Sequence, residues 1–254
     1  MSNNILKKIP VFFAYLSSEG GIDMLFGLIF ILGCVLASSI VCLNYRHEHA
    51  LSYFYPRSFC EHCHTTLKWW QLIPVLGYFL QKGHCYFCKQ KIDPKSTLVE
   101  LSFATLLVIF CTLLPPALWA NFIWGSSWLL SLSLQDLERK EIVISVLFIG
   151  GGILLLSAPL HLTLLDLAGG ATFLSLMFIE NMRHKLGYGD TFVIMFLWLN
   201  LGSKQALLLL LSASFLALSY YLLFSQKESL PFIPFIFCGY LFSYIFVGKA
   251  LLRF

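Results

Sequence analysis

A chain of 254 residues that is 58% hydrophobic and only 12% charged, with a mean hydropathy of +0.79, lies outside the range of soluble domains, which run at about 45–50% apolar and about 25% charged residues. A large soluble all-α core would need polar faces between its apolar ones, and those faces are mostly missing. The net charge of +4 is small and the basic residues are localised, so no nucleic-acid partner is expected and membrane lipid is the surrounding medium.

In chain order, the first apolar run is Met24–Leu43. It is long enough to cross roughly 30 Å of hydrocarbon, and it follows a stretch of mixed polarity, so it reads as an uncleaved first helix. Residues 44–96 are polar and hold four of the eight cysteines. Further runs follow at Thr97–Leu114, Ala117–Leu134, Ile142–Pro159, Leu162–Ile179, Thr191–Leu201, Gln205–Phe224 and Phe232–Leu252. Thr191–Leu201 is short for a span and is expected to be tilted, re-entrant or packed inside the bundle. The predicted architecture is an all-α polytopic membrane protein of about eight transmembrane helices. It divides into residues 1–43 (N-terminal segment and first helix), 44–96 (loop) and 97–254 (helix bundle). With the N-terminus outside, twelve of the seventeen Lys and Arg residues fall in inner segments and five in outer ones. The positive-inside bias then places both termini outside and the loop in the cytosol.

The loop carries Cys60-Glu-His-Cys63 and Cys85-Tyr-Phe-Cys88. Each C-x-x-C pair can form a knuckle with two sulfurs on one side, and two knuckles complete a tetrahedral four-sulfur shell that suits zinc. Free thiols or a redox pair are the plainer alternative; structural disulfides are not expected in a reducing cytosol. His62, His64 and His84 are nearby, but four sulfurs already saturate a closed structural site. Cys34, Cys42, Cys111 and Cys238 fall in or beside apolar runs and read as packing residues. The aromatic stretch from Trp69 to Phe79 fits either a membrane-interface surface or a small core for the loop.

Ionisable groups at membrane depth are costly, which singles out Glu100, Asp136, Asp166, Glu180 and Asp190. Asp136 ends one run, and Asp190 closes Gly187-Tyr188-Gly189-Asp190 two spans later, which returns it to the same face. Asp166 lies toward the opposite face. Two carboxylates held together share a proton and can hydrolyse a peptide by general acid–base catalysis. Gly187 and Gly189 would permit a tight backbone and close approach of an extended substrate. Helix N-capping is the structural alternative for a lone Asp at a helix end.

These features together resemble the type IV prepilin peptidase family, the leader peptidase/N-methyltransferases, which share the G-x-G-D motif of intramembrane aspartic proteases. The resemblance is carried by Gly33-Cys34-Val35-Leu36-Ala37-Ser38-Ser39, Leu43-Asn44-Tyr45-Arg46, Ser58-Phe59-Cys60-Glu61-His62-Cys63, Ile73-Pro74-Val75-Leu76-Gly77-Tyr78 and Gly83-His84-Cys85-Tyr86-Phe87-Cys88. It continues through Leu98-Val99-Glu100-Leu101, Asp136-Leu137-Glu138, the G-x-G-D segment and Pro231-Phe232-Ile233-Pro234-Phe235. It implies that Asp136 and Asp190 cleave the leader of prepilin-like precursors at the cytosolic face of a bacterial inner membrane. It also implies methylation of the new N-terminus with S-adenosylmethionine, supported by the zinc loop. Two departures stand out: Ile142-Val143-Ile144 where the family has an Ile-Pro-Asp-like turn, and Phe192 where it commonly has lysine.

A presenilin-like protease shares the G-x-G-D motif, but the paired cysteine knuckles argue against it. A zinc-dependent transporter or scaffold would place carboxylates at the bilayer midplane within repeated halves. No convincing internal repeat is visible. The family's archaeal relatives generally lack the zinc loop, so the chain reads as bacterial. Which pilins are cut, the oligomeric state and the methyl-donor residues have no readable signal.

Overall fold

The computed structural model describes residues 19–53, 55, 57–157, 163–182, 187–224 and 230–251. Lys7, Lys8, Arg183, Lys185, Lys227 and Arg253, which entered the charge count, lie outside the described residues. The described chain is all-α apart from two isolated antiparallel bridges, Phe59 with Thr66 and His84 with Lys91. It divides into two compact units, Met1–Phe110 and Cys111–Phe254.

In the first unit, helix α1 (Glu19–Glu48) and helix α3 (Lys95–Leu113) meet on small residues. Ala37 and Ala104 are fully buried, and a Cβ on Gly33 would fall 2.7 Å from the Ala104 Cα. Glycine at that point lets the two backbones close, as small residues do in membrane helix pairs. Asp93 starts α3 by accepting the Lys95 amide at 3.0 Å, an N-terminal side-chain cap. Between these helices lie a 3-10 turn (Trp69–Leu72) and the short helix α2 (Leu76–Leu80). Here the aromatic stretch is inverted relative to a loop core. Trp69, Leu72, Leu76, Phe79 and Leu80 are exposed, while Gln71 is buried. Gln71 accepts the Lys68 amide at 2.7 Å and donates to Gln81 at 2.8 Å. A buried glutamine pair holds this segment, and Trp70 meets Tyr86 of the second knuckle edge-on at 5.8 Å.

In the second unit, α4 (Trp119–Arg139), α5 (Ile144–Leu156), α6 (Leu164–Met182), α7 (Tyr188–Leu201), α8 (Ser203–Phe224) and α9 (Ile233–Leu251) form a bundle. Helix α9 packs on α8 and α4, α5 packs on α4 and α7, and α6 packs on α7. Buried Phe122, Leu129, Leu154, Ile194, Leu209 and Tyr240 fill the spaces between them. The α4 interior is also polar: the Tyr244 hydroxyl donates to Asn121 Oδ1 at 2.7 Å, and Asn121 Nδ2 donates to Ser157 at 3.1 Å.

The expectation of eight full spans is corrected. Among the described residues, three helices are long and apolar enough to cross a membrane: Asp23–Glu48, Lys95–Leu113 and Ser203–Phe224. Ile144–Leu156, Asp166–Ile179, Tyr188–Leu201 and Ile233–Phe246 are shorter apolar helices. Helices α5 and α7, of 13 and 14 residues, rise only about 20 Å at about 1.5 Å per residue. Helix α4 is long enough, but its apolar run is broken by buried Asn121, Ser126, Ser127, Ser133, Gln135 and Asp136. Hydropathy counted apolar residues continuously, whereas the bundle sets short helices side by side. The protein is a polytopic helical membrane protein with fewer full-length spans than its hydropathy suggests.

Candidate active site and metal centre

Asp136 sits in the last turn of α4 and is buried. Its Oδ2 accepts the Ile233 amide at 3.0 Å, and the Phe232 amide also hydrogen-bonds to the carboxylate. The first turn of a helix has amides without intrahelical partners, so Asp136 ties the start of α9 to the end of α4. Helix α4 then stops at Lys140, which adopts a left-handed conformation (φ 55°) and whose amide returns to the Asp136 carbonyl at 3.0 Å. Gln135 Oε1 accepts the Val143 amide at 2.9 Å, which holds the short connection into α5.

Asp190 is in the first turn of α7. The N-cap of that helix is Gly187, so capping by Asp190 does not account for its place there. Asp136 and Asp190 interact electrostatically. The two glycines differ from expectation in what they do. Gly187 has φ −74° and ψ 140°, extended backbone open to any residue. A Cβ at Gly187 would stand 3.3 Å from the Asp190 Oδ2, and one at Gly189 would overlap the Ile142 side chain. Absent side chains thus clear the space around Asp190 and seat α7 against the α4–α5 connection. Ile142 belongs to the segment that departs from the family's usual turn.

The other singled-out carboxylates are used locally. Asp166 accepts from the Thr163 amide and hydroxyl at 3.0 and 2.8 Å, and from the Ser203 amide at 3.0 Å and the Ser203 hydroxyl. It anchors the starts of α6 and α8. Glu100 accepts the Val75 amide at 2.8 Å within the first unit. The side chain of Glu180 lies outside the described residues. Sequence reasoning missed the Phe232 and Ile233 amides as partners of Asp136. The available signal was Pro234, a residue suited to a first helical turn, which marks where amides are free to be received from outside.

The four cysteines of the loop do come together. The Sγ atoms of Cys60, Cys63, Cys85 and Cys88 all lie within 4.8 Å of one another, a cluster capable of holding a metal ion. The two knuckles repeat one construction. Cys60 N donates to Thr65 O and His64 N to Cys60 O; Cys85 N donates to Gln90 O and Lys89 N to Cys85 O. The residue after each second cysteine, His64 or Lys89, takes positive φ of 54° or 59°. The Thr65 hydroxyl, then its amide, brings the Cys63 thiol down to about 6. His62, His64 and His84 are not members of the cluster.

A family model described as the bacterial peptidase A24 N-terminal domain matches residues 31–114. The chain is similar to a "Type 4 prepilin-like proteins leader peptide-processing enzyme" of Escherichia coli, at 30% identity over 155 residues. That match covers 56% of this chain and 58% of the relative, so the chain spans less than two thirds of that protein's length. It is also similar to proteins named "Prepilin leader peptidase/N-methyltransferase" from Legionella pneumophila and Bacillus subtilis. The first is 26% identical over 209 residues (75% of this chain, 72% of the relative). The second is 26% identical over 251 residues (89% and 96%). No solved structure matches.

Proposed function

The chain belongs to the type IV prepilin leader peptidase/N-methyltransferase family, and on that premise we propose that it cleaves the leader from prepilin-like precursors and methylates the new N-terminus. What supports the protease reading is that Asp136, at the end of α4, acts electrostatically on Asp190, at the start of α7. In this reading the pair shares one proton. The ionised carboxylate takes a proton from water while its protonated partner donates to the scissile carbonyl oxygen. Water oxygen bonds to the carbonyl carbon, and collapse of the tetrahedral species breaks the C–N bond as the departing amine gains a proton. In this reading Gly187 leaves the space beside Asp190 open, while Gly189 seats α7 against Ile142.

The loop holds one structural zinc through Cys60, Cys63, Cys85 and Cys88. A tetrahedral zinc with bonds of about 2.3 Å separates its sulfurs by about 3.8 Å. The Cys60 and Cys88 sulfurs stand at 4.0 Å and the whole set within 4.8 Å, so closure onto the ion needs shifts of about an ångström or less. Such a site is closed and organises the loop; the peptide chemistry stays with the aspartates. The positive-inside bias supports a cytosolic position for loop and dyad in a bacterial inner membrane. When bound, S-adenosylmethionine would supply an electrophilic methyl group for the freed amine.

Incubation of purified protein with a prepilin-like precursor, read by product mass, tests both activities. Leader loss followed by addition of one methyl group is expected with S-adenosylmethionine present. An intact precursor after prolonged incubation would refute the protease reading, and cleaved product without methyl would refute the transferase.

A further inference from the structure

In the first unit, the segment between the two cysteine knuckles carries its large apolar side chains on the outside. Leu76, Phe79 and Leu80 stand at i, i+3 and i+4 of α2, which puts them on one face. Phe79 and Leu80 are each 62% exposed. Trp69, 74% exposed, and Leu72 stand three apart in the 3-10 turn, a spacing at which side chains eclipse. The inner side is polar and tight: Gln71 and Gly77 are buried, and a Cβ on Gly77 would overlap the Gln71 carbonyl oxygen. Glu100 fixes where this piece sits. It accepts the amide of Val75, the residue before α2, at 2.8 Å. Glu100 lies five residues into α3, about 7.5 Å along the helix at about 1.5 Å per residue. Helix α3 is long and apolar enough to cross a membrane, and so is α1, from whose end the loop departs. The apolar face is thereby tied beside the first turns of a spanning helix, where Leu98 and Leu101 are also exposed. Charge on the segment has one sign. Residues 67–92 include Lys68, Lys82, Lys89 and Lys91 and no Asp or Glu. Lys68 and Lys82 bracket the apolar stretch and are exposed. The Lys68 ammonium lies 5.2 Å from the Tyr86 ring centroid, and that of Lys89 lies 5.1 Å from the same ring.

We propose that residues 69–80 are an interfacial anchor for anionic lipid. Trp69, Leu72, Leu76, Phe79 and Leu80 enter between the headgroups, and Lys68 and Lys82 meet the lipid phosphates. Tryptophan is favoured at headgroup level, lysines reach from apolar stems to charged surfaces, and basic clusters beside a span attract anionic leaflets. A contiguous apolar face left in water marks a contact site, and the tie to Glu100 places this one where a bilayer surface lies. A second copy of the chain suits the face less well, because like faces would set lysines against lysines. Lipid on one side and Glu100 on the other then hold the cysteine loop at the bilayer surface. The anchor depends on neither the peptidase nor the transferase reading.

The test places the photo-crosslinker p-benzoylphenylalanine at Trp69 or at Phe79 of the full-length protein. The protein is reconstituted in bilayers of phosphatidylcholine mixed with phosphatidylglycerol, irradiated and read by mass. Phospholipid adducts are expected at both positions, with phosphatidylglycerol enriched at least twofold over its share of the bilayer. In Lys68→Gln/Lys82→Gln the enrichment should fall to the bulk share while lipid adducts persist. A crosslinked dimer in place of lipid adducts would make the face a contact between copies and overturn the anchor. A link to another helix of the same chain, or no adduct at all, would overturn it too. Lipid adducts without enrichment in the wild-type background would overturn the anionic preference. Quenching of Trp69 fluorescence by brominated lipid, taken as the difference between wild type and Trp69→Phe, needs no bulky substitution. It decides the case if a labelled variant fails to elute as folded protein: quenching is expected, and its absence overturns the anchor.

Discussion

Asp136 has two tasks at one carboxylate. One oxygen receives the Ile233 amide from 97 residues away, while the group also acts electrostatically on Asp190. Asp136→Asn and Asp190→Asn are each expected to lower cleavage by at least the roughly 10²–10⁴-fold range of general acid–base catalysis, measured on a prepilin-like precursor. Full cleavage by either variant would end the dyad. A pair sharing one proton should give a bell-shaped pH–rate profile whose two limbs belong to the pair jointly. Loss of one limb in an aspartate variant that retains residual activity would agree with that. Asp166 provides the contrast, because its oxygens receive Thr163 and Ser203, at the starts of α6 and α8. Asp166→Asn should lower Tm in a detergent melt while kcat for cleavage stays near wild type.

At the scale of elements, the start of α7 reaches the α4–α5 connection only because Gly189 leaves room for Ile142. Gly189→Ala inserts a methyl into that contact, an overpacking that costs about 1–3 kcal/mol and pushes the helix away. We expect cleavage to fall at least tenfold, with partial recovery in the double variant Gly189→Ala/Ile142→Ala. An unrecovered double variant would mean that Gly189 serves the substrate rather than the helix contact. The knuckles offer a test of opposite sign. Lys89 holds a left-handed conformation that disfavours L side chains and that glycine adopts freely. Because loop folding and metal binding are linked, Lys89→Gly should tighten zinc binding by up to about fivefold, as read by chelator competition.

Across the whole molecule, the cysteine cluster and the two candidate aspartates fall in different compact units, Met1–Phe110 and Cys111–Phe254. Removing the metal should melt the loop, whereas the helices keep their internal backbone hydrogen bonds. Cys60→Ser with Cys63→Ser is therefore expected to lose zinc and to lower methylation far more than cleavage, resolved by mass spectrometry of the processed pilin. Equal loss of both activities would mean that the loop also shapes the protease. The sequence alone determined the membrane class, the four-sulfur cluster and the candidate aspartates, because hydropathy, C-x-x-C spacing and rare charges in apolar runs are local patterns. It did not determine how many helices cross fully, since a hydropathy run ignores where helices stop. Nor did it reveal that Gln71 is the inside of its aromatic stretch, that Asp136 holds α9, or that Gly189 faces Ile142. Each of these depends on which side chain a distant segment presents, and only the packed chain decides that.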